Sequence, residues 1–545
     1  DTPYIGENGN WWLGDKDLGI PAQGPKGDQG ESGNDGIDGD TPYIGENGNW
    51  WLGDKDLGIP AQGPKGDQGE SGNDGIDGKD GDTPYIGENG NWWIGGSDTG
   101  VRAAEYGTIP QTGGLVYGIN SDKKSYYVAD YTGVDRYVYI PEKYLGYPVT
   151  AIGFEAFKNN NIVEYVDADY IITIEDSAFE NANRLKEINL DSIESIGNYS
   201  FKNAISIERM KLPNSITKLG VSAFENTYEM KEFSFSDNTN IDILPDLLFK
   251  SSGIKELLVP TSVVIIGEQA FEQSKIASIV FENDSNLENI GKYAFRKAEE
   301  LLEIEIPEGV TVIKEGTFYS TYKLEHLFLP ESLLEIEKEA FRSSRINDLL
   351  IPKNVELIGE LALSSLINLE SLVIEDNSKL RELGKDVLYR TRKLKKIVIP
   401  NSVEKIGYGA FNEMSSLEYL SIPFVGPSRN GGKLVHFFGT TSYTNSYPVI
   451  SSNGNYYYLP ISLKTVLIND SESIREDAFR ATRYVENVYF SETILFVEKE
   501  IFALHSSAMI FTEHKGKPTG WKFSNGTIIF NGSWEFDQDG VPKLL

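Results

Sequence analysis

Residues 394–411, LKKIVIPNSVEKIGYGAF, contain one complete unit of the pattern that decides the fold of this chain. In the phrase Leu-x-x-Ile-x-Ile, residues such as Leu394, Ile397 and Ile399 point to one side of a short strand, because successive side chains alternate between its two faces. Pro400 ends the strand because it has no N–H to donate. The unit therefore begins with a short strand that is apolar on one side.

The second half of the unit closes a coil. Val403 and Ile406 point inward from a second short extended segment, and Phe411 fills the opposite side. This anchor returns every 22 to 25 residues, with one gap of 68 residues after Phe411. The anchors are Phe157, Phe179, Phe201, Phe224, Phe249, Phe271, Phe295, Phe318, Phe341, Phe411, Phe479 and Phe502, with Leu363 and Leu388 in their place at two coils. Such a repeat predicts a solenoid of short parallel β-strands joined by turns and short helices.

The phrases at 259–271 (VPTSVVIIGEQAF) and 399–411 (IPNSVEKIGYGAF) resemble the BspA-type leucine-rich repeats of bacterial surface proteins. The resemblance covers residues 131–511. It implies a leucine-rich-repeat array, host-protein binding and adherence. The family lacks the asparagine ladder of the commonest leucine-rich repeats, and we expect none in this chain.

The sequence divides into four regions. We expect an acidic repeated stalk at 1–103, a linker and N-terminal cap at 104–130, the solenoid at 131–511 with an insertion at 424–460, and a β cap at 512–545. A last coil exposes an apolar side that needs such a cap.

The stalk consists of two identical 39-residue units, 1–39 and 40–78, and a third partial copy. Each begins with a predicted β-hairpin and continues with Gly at every third position, a pattern typical of collagen. Residues 1–103 hold 20 acidic and 6 basic side chains. A homotrimeric collagen-like stalk and a flexible acidic spacer both fit this composition.

The stalk also contains aromatic pairs and clustered acids. Paired indoles can stack on sugars, or they can form the small hydrophobic content of each β unit. These pairs are Trp11 and Trp12, Trp50 and Trp51, and Trp92 and Trp93. Oxygen side chains from 73 to 82 could recruit Ca²⁺, although they lack the EF-hand spacing. No other cofactor or metal is expected.

The strand template also predicts which side chains face outward. Fifth positions should form one exposed column, which is almost wholly apolar from Leu258 to Val398. Its members there are Leu258, Val280, Glu305, Phe328, Leu350, Val373 and Val398, and it should continue through Ser421, Leu467 and Tyr489. The third-position column beside it is largely acidic in its first half. An exposed apolar stripe rimmed by charge is a candidate protein-binding surface, but good strand formers would produce the same pattern.

The insertion is the second candidate site, because loops that protrude from a rigid scaffold often carry function. Its aromatic residues Phe437, Phe438, Tyr456 and Tyr457 either bind a ligand or brace the array locally.

Composition excludes several classes of function. The net charge of −32 argues against nucleic-acid or anionic-membrane partners, whose binding depends on Lys and Arg. There is no cysteine, so disulfides and thiolate metal sites are excluded. No nucleotide-binding, zinc-protease or serine-hydrolase motif is present, and we expect no enzyme. No apolar run is long enough to span a membrane.

We therefore expect a secreted or cell-surface adhesion protein that binds a protein or glycan on a host or microbial surface. The alternatives are a structural fibre or spacer without a ligand, and a carbohydrate-binding stalk. Because Asp1 begins a repeat unit without an initiator Met or a charged lead-in, we expect these residues to be a portion of a longer precursor, in which an export signal could lie upstream.

Overall fold

The computed structural model describes residues 112–452, 454–502, 508–522 and 527–530 in full, together with the backbone of short strands in 3–102, 534–536 and 542–545. The chain divides into two compact units, 1–110 and 111–545. The expectations about the collagen-like runs, the calcium site and the Trp side chains fall outside the described part of the chain.

The first unit contains three antiparallel three-stranded sheets, one in each copy of the repeat. The predicted hairpin is present in each copy, and a third strand pairs with its second strand. The strands are Pro3–Ile5, Asn10–Leu13 and Lys16–Pro21; Pro42–Ile44, Asn49–Leu52 and Lys55–Pro60; and Tyr85–Ile86, Asn91–Ile94 and Ser97–Arg102.

The second unit is a parallel β-solenoid, as the sequence predicts. Each coil contributes one longer strand to a row of parallel strands, hydrogen-bonded in sheets of two to six, that we call the strand face. These strands are Tyr137–Tyr139, Tyr165–Asp167, Glu187–Asn189, Arg209–Leu212, Glu232–Phe235, Glu256–Val259, Ser278–Phe281, Glu303–Glu305, His326–Phe328, Asp348–Ile351, Ser371–Ile374, Lys396–Val398, Tyr419–Ile422, Thr465–Ile468, Asn487–Phe490, Met509–Thr512 and Thr527–Ile529.

A second short strand follows in most coils and pairs in parallel with its neighbours. These strands are Tyr147–Ile152, Thr173–Ile174, Ser195–Ile196, Ile243–Leu244, Ile265–Ile266, Asn289–Ile290, Val312–Ile313, Glu335–Ile336, Leu357–Ile358, Glu382–Leu383, Lys405–Ile406, Ser473–Ile474 and Phe496–Val497. At the N-terminal end, Leu115–Ile119 pairs antiparallel with Tyr126–Tyr131, which joins this second sheet, and Lys143–Tyr144 pairs with its first strand.

The anchor phenylalanines form a continuous stack through the core. From Phe157 to Phe341, neighbouring ring centroids are 4.8–5.7 Å apart and the rings are tilted by at most 24°. Each anchor N–H in this series donates to a carbonyl of the next coil at 2.7–3.0 Å, as Phe295 does to Thr317 at 2.9 Å. The ring stack and the hydrogen bonds therefore fix the same coil-to-coil register.

The anchor segments are chains of turns, where the sequence predicted short helices. Non-glycine residues two positions before and after most anchors adopt positive φ, for example Glu155 at 58° and Asn159 at 59° around Phe157. That conformation is unfavourable for most side chains. Here the positive φ directs every second N–H group along the array, toward a carbonyl of the next coil. Asn159 N–H, for example, donates to Glu180 C=O at 2.8 Å. Bonding between coils thus replaces bonding within a helix.

A short asparagine ladder that the sequence did not predict lies two residues after the anchors of four coils. Asn159, Asn181, Asn203 and Asn226 each lie two residues after an anchor with positive φ. The side-chain amides of Asn181, Asn203 and Asn226 each donate to the oxygen of the preceding asparagine at 2.8 Å. Asparagine tolerates this conformation better than most residues, so one residue type satisfies both the turn and the neighbouring coil.

A ladder of alternating charge runs beside the rings. The residue after each of seven consecutive anchors alternates between base and acid: Lys158, Glu180, Lys202, Glu225, Lys250, Glu272 and Arg296. Ion pairs form at 3.1 Å between Lys158 and Glu180, 2.9 Å between Lys202 and Glu225, and 3.1 Å between Lys250 and Glu272. A slip of one coil would put like charges together, so this ladder also specifies register.

The C-terminal end is closed by aromatic packing. The Trp521 indole is buried, donates to Ile494 C=O at 3.0 Å and contacts Phe490 and His514 edge-on. Thr527–Ile529 adds a further parallel strand to Met509–Thr512, and Trp534–Phe536 pairs antiparallel with Pro542–Leu544.

The ring stack predicts a large difference between two phenylalanines of the same array. Phe295→Ala should lower the free energy of unfolding by about 3–5 kcal/mol, because it leaves a cavity between Phe271 and Phe318. Phe328→Ala, which truncates a side chain that is 59% exposed, should change it by less than about 0.5 kcal/mol. Urea denaturation followed by circular dichroism measures both. Equal losses would contradict the stack as the main stabilising element.

Candidate functional site

The strand face displays the apolar residues that the template predicts. Outward fifth positions alternate with buried neighbours, as in Glu256–Val259 and Asp348–Ile351. We call the following set the apolar column: Leu258, Val280, Phe328, Leu350, Val373 and Val398, whose side chains are 48–59% exposed, with the exposed Glu305 between Val280 and Phe328. Register brings them side by side, since Leu258 faces Val280, Glu305 faces Phe328 and Leu350 faces Val373.

The column does not remain exposed to the end of the array, which corrects the prediction for its last members. Ser421, Leu467 and Tyr489 are in register on adjacent strands, yet each is at most 4% exposed. Leu467 and Tyr489 form a second buried cluster with Tyr419 and Phe511. The strand pattern predicts which way these side chains point, but it cannot tell what packs over them.

Carboxylates flank the open part of the column. Exposed third positions Glu256, Glu303 and Asp348 lie two residues before Leu258, Glu305 and Leu350 on their strands. Among the described residues, none of Glu256, Glu303, Glu305 and Asp348 forms an ion pair. The face therefore combines apolar area with negative charge that the array does not neutralise.

A depression of about 530 Å³ lies at one edge of the strand face. Its lining includes Val280, Phe281, Glu303, Glu305 and Phe328. The loop 282–285 forms one wall, and its Asp284 adopts a positive φ of 59°.

This wall was not predicted from the sequence, although the coil that contains it is longer than the coil before it. Ser278 pairs with Glu303, 25 residues later, whereas Glu256 pairs with Ser278 after only 22. Two neighbouring acids of the wall already have structural roles: Glu282 accepts from Thr261 N–H and Oγ1 at 2.9 Å, and Glu308 accepts from Glu331 N–H at 2.9 Å.

The insertion braces the array with its phenylalanines. Phe437 and Phe438 are fully buried, which favours bracing over ligand binding for these two residues. Phe437 is the last residue of a 3₁₀ turn, Leu434–Phe437, and its ring takes the place of the next anchor ring, 5.5 Å from that of Phe411. Its carbonyl accepts from Phe411 N–H at 2.8 Å. Leu434 N–H then donates to Ala478 C=O at 2.9 Å in the following coil.

The rest of the insertion is a hairpin, Ser446–Ile450 with Tyr456–Pro460. Tyr456 is 53% exposed and remains available for contacts, whereas Tyr457 is partly buried against the core. Arg429 ties the segment to the coils on both sides, since it donates to Asp470 C=O at 2.8 Å and also contacts Asn401 C=O.

A buried acid lies where leucines interrupt the phenylalanine stack. Glu413 accepts from Arg390 at 2.8 Å, Arg392 at 2.9 Å and the Tyr389 hydroxyl at 3.0 Å. Burial acts to raise the pKa of Glu413, but the hydrogen bonds from Arg390, Arg392 and Tyr389 outweigh it, so the pKa lies below its usual value. The carboxylate is therefore a structural group held ionised at neutral pH.

Within the described ranges no group of three or more His, Asp or Glu side chains could hold a metal ion. Burial lowers the pKa of His436, whose ring lies 3.1 Å from Ile406 C=O, so it is neutral at pH 7. In the same part of the chain, no helix has the length and hydropathy needed to cross a bilayer.

Comparison with known protein families agrees with this geometry. The BspA type leucine-rich repeat region matches residues 150–277, 264–383, 335–426 and 381–510, which together span more than half of the 545 residues. The chain belongs to the BspA-type leucine-rich-repeat family. Proteins built from such repeats typically act through protein contacts, and the strand face is the exposed sheet of this BspA-type array.

Solved structures similar to the BspA-type array include three bacterial proteins. A leucine-rich repeat protein from Bacteroides ovatus is 18% identical, with 71% of this chain and 95% of that chain covered and a TM-score of 0.43. The pneumococcal vaccine antigen PcpA is 19% identical, with coverage of 78% and 99% and a TM-score of 0.37. A leucine-rich cell surface protein from Faecalibacterium prausnitzii is 19% identical, with coverage of 77% and 94% and a TM-score of 0.30. No curated protein matches this chain significantly.

The environment of Glu413 predicts a specific pH dependence. Because its pKa is lower in the folded than in the unfolded chain, its stabilisation is complete above the unfolded value of about 4.3 and is lost as the pH falls through the folded value. Glu413→Gln should therefore cost about 2 kcal/mol at pH 7 and progressively less toward pH 3. Urea denaturation across this range measures the difference from the natural chain.

Glu404→Gln is the matched control, because Glu404 is exposed and its carboxylate has no cationic partner among the described residues. It should change stability little at any pH. A Glu413→Gln penalty that stays constant from pH 7 to pH 3 would show that ionisation is not what stabilises this cluster.

Proposed function

We propose that this chain is a secreted or cell-surface recognition protein that binds a host or microbial surface macromolecule noncovalently through the strand face. The observation that carries the proposal is the apolar column, six large apolar side chains each about half exposed along one face. Soluble proteins rarely leave contiguous apolar surface of this kind uncovered unless it serves an interaction.

The C-terminal end of the same sheet supports this interpretation. There, Leu467, Tyr489 and Phe511 are the equivalents of the apolar column and are at most 4% exposed. The array therefore covers apolar fifth positions in its last coils and leaves them open from Leu258 to Val398. Strand propensity alone favours β-branched and aromatic residues, so it accounts for Val280 and Phe328 but not for the exposed Leu258 and Leu350.

A rigid scaffold suits this role. The open column is carried by strands whose register is fixed by the ring stack and by bonds between coils. A preorganised surface loses little conformational entropy on binding. The exposed Tyr456 hairpin offers a second, separate contact region beyond the column.

Binding of the fluorescently labelled full chain to cultured epithelial cells and to immobilised matrix proteins tests the proposal. The variant Leu258→Ser, Val280→Thr, Phe328→Ser, Leu350→Ser should bind at least about tenfold more weakly, because these positions supply the apolar centre of the contact. Circular dichroism and urea denaturation verify that it folds.

The matched control is Ile205→Ser, Tyr228→Ser, Tyr322→Ser, Ile367→Ser, which removes apolar side chains that are 38–58% exposed but lie outside the strands of the strand face. It should bind like the natural chain. Equal losses in the two variants would contradict a site on the strand face. Absence of saturable binding by the natural chain would favour the spacer instead.

A further inference from the structure

The strand face has an unusual charge composition in its central five coils. The third and fifth strand positions there are ten outward sites, which hold four carboxylates, four apolar residues, one Ser and one His, with no Lys or Arg. They are Glu256, Leu258, Ser278, Val280, Glu303, Glu305, His326, Phe328, Asp348 and Leu350. We call this set the central patch.

Elsewhere on the array, carboxylates are commonly paired between neighbouring coils. Lys323 pairs with Glu300 at 2.6 Å, and Lys393 pairs with Glu370 at 2.8 Å. Among the described residues, the four acids of the central patch form no ion pair with Lys or Arg. This is true even of Glu256, whose neighbour in sequence is Lys255. Their charge is therefore available to a cationic partner.

Cations bound the central patch at both ends. Lys211 occupies the fifth position two coils before Leu258, and Lys396 occupies the third position two coils after Asp348, where its ammonium lies 5.2 Å from the centre of the Tyr419 ring. Five coils at about 4.8 Å spacing span roughly 20 Å, which about six extended residues can cover. The central patch, which ends two coils short of each cation, thus sets the length of chain that fits.

Within the central patch, three of the four acids lie in one column and the apolar residues lie in a parallel one, which only Glu305 interrupts. Glu256, Glu303 and Asp348 belong to the third-position column, whereas Leu258, Val280, Phe328 and Leu350 belong to the fifth-position column about 7 Å away along each strand. An extended segment lying along the array between these columns would direct alternate side chains to the two sides. One side would meet carboxylates and the other would meet apolar groups.

We infer that the partner presents an extended segment of about six residues in which Lys or Arg alternates with apolar side chains. This inference rests on the proposed function and names the chemistry of its partner. The stalk of a second copy does not fit, because residues 1–103 carry 20 acidic and only 6 basic side chains. Two whole chains, each of net charge −32, would also repel one another.

Fluorescence anisotropy with the full chain tests the inference. The probe is a synthetic peptide of about eight residues that alternates Arg or Lys with Leu or Phe. One twin replaces every cation by Glu, and a second has the same composition with its cations and apolar residues in separate blocks. The alternating basic probe should bind roughly tenfold more tightly than either twin, and raising the salt concentration should weaken it.

Two charge variants locate the site. Glu256→Gln, Glu303→Gln, Glu305→Gln, Asp348→Asn removes the acids of the central patch and should weaken probe binding roughly tenfold. Glu194→Gln, Glu288→Gln, Glu356→Gln, Glu404→Gln removes four exposed acids next to the second short strands and should leave binding unchanged. Both change the net charge equally, so a general effect of charge would weaken both alike and overturn the inference.

The two proposals fail in different ways. In one outcome the probe does not bind, or binds no better than its acidic twin, but the variant at Leu258, Val280, Phe328 and Leu350 still loses cell binding. The inference of a basic partner is then wrong, whereas the proposed recognition surface is supported. If that variant binds cells as tightly as the natural chain does, both proposals are wrong.

Discussion

Stacking of one coil on the next at the phenylalanine anchor is the interaction on which the rest of the structure depends. The ring contact and the N–H to carbonyl bond act at the same residue, as at Phe295, and both repeat along the array. Residues flanking the anchors adopt positive φ so that their own N–H groups can bond between coils. Once this register is set, equivalent strand positions must line up in columns, and the binding surface is a consequence of that alignment.

Most of the fold could be predicted from the sequence because periodicity and alternation encode it directly. The anchor spacing predicts coils, and the Leu-x-x-Ile-x-Ile phrase predicts which side chains are buried. The turns around the anchors were less predictable, since bonds between coils determine their conformation. For the same reason Asn159 and its equivalents gave no recognisable signal as single residues, although in register they form a ladder.

The candidate site was only partly predictable. Exposure of Leu258 to Val398 follows from strand alternation, but burial of Leu467 and burial of Phe437 depend on tertiary packing that no local pattern contains. The charge of the site shows the same limit. A sequence of alternating acids and bases does not reveal that Glu272 is paired inside a ladder while Glu303 on the strand face is not. That difference gives the site its chemical character.

The absence of cysteine from the natural sequence permits a direct test of the central claim, that the open part of the strand face is the surface that contacts the partner. A single cysteine introduced by Val280→Cys on the apolar column, or by Tyr228→Cys outside the strands of the strand face, would be the only thiol in the chain. The measurement is the rate of maleimide labelling of each variant, free in solution and bound to cells. We expect both cysteines to react in the free chain and binding to cells to protect only the cysteine at 280. Equal labelling of both cysteines in the bound state would contradict the central claim.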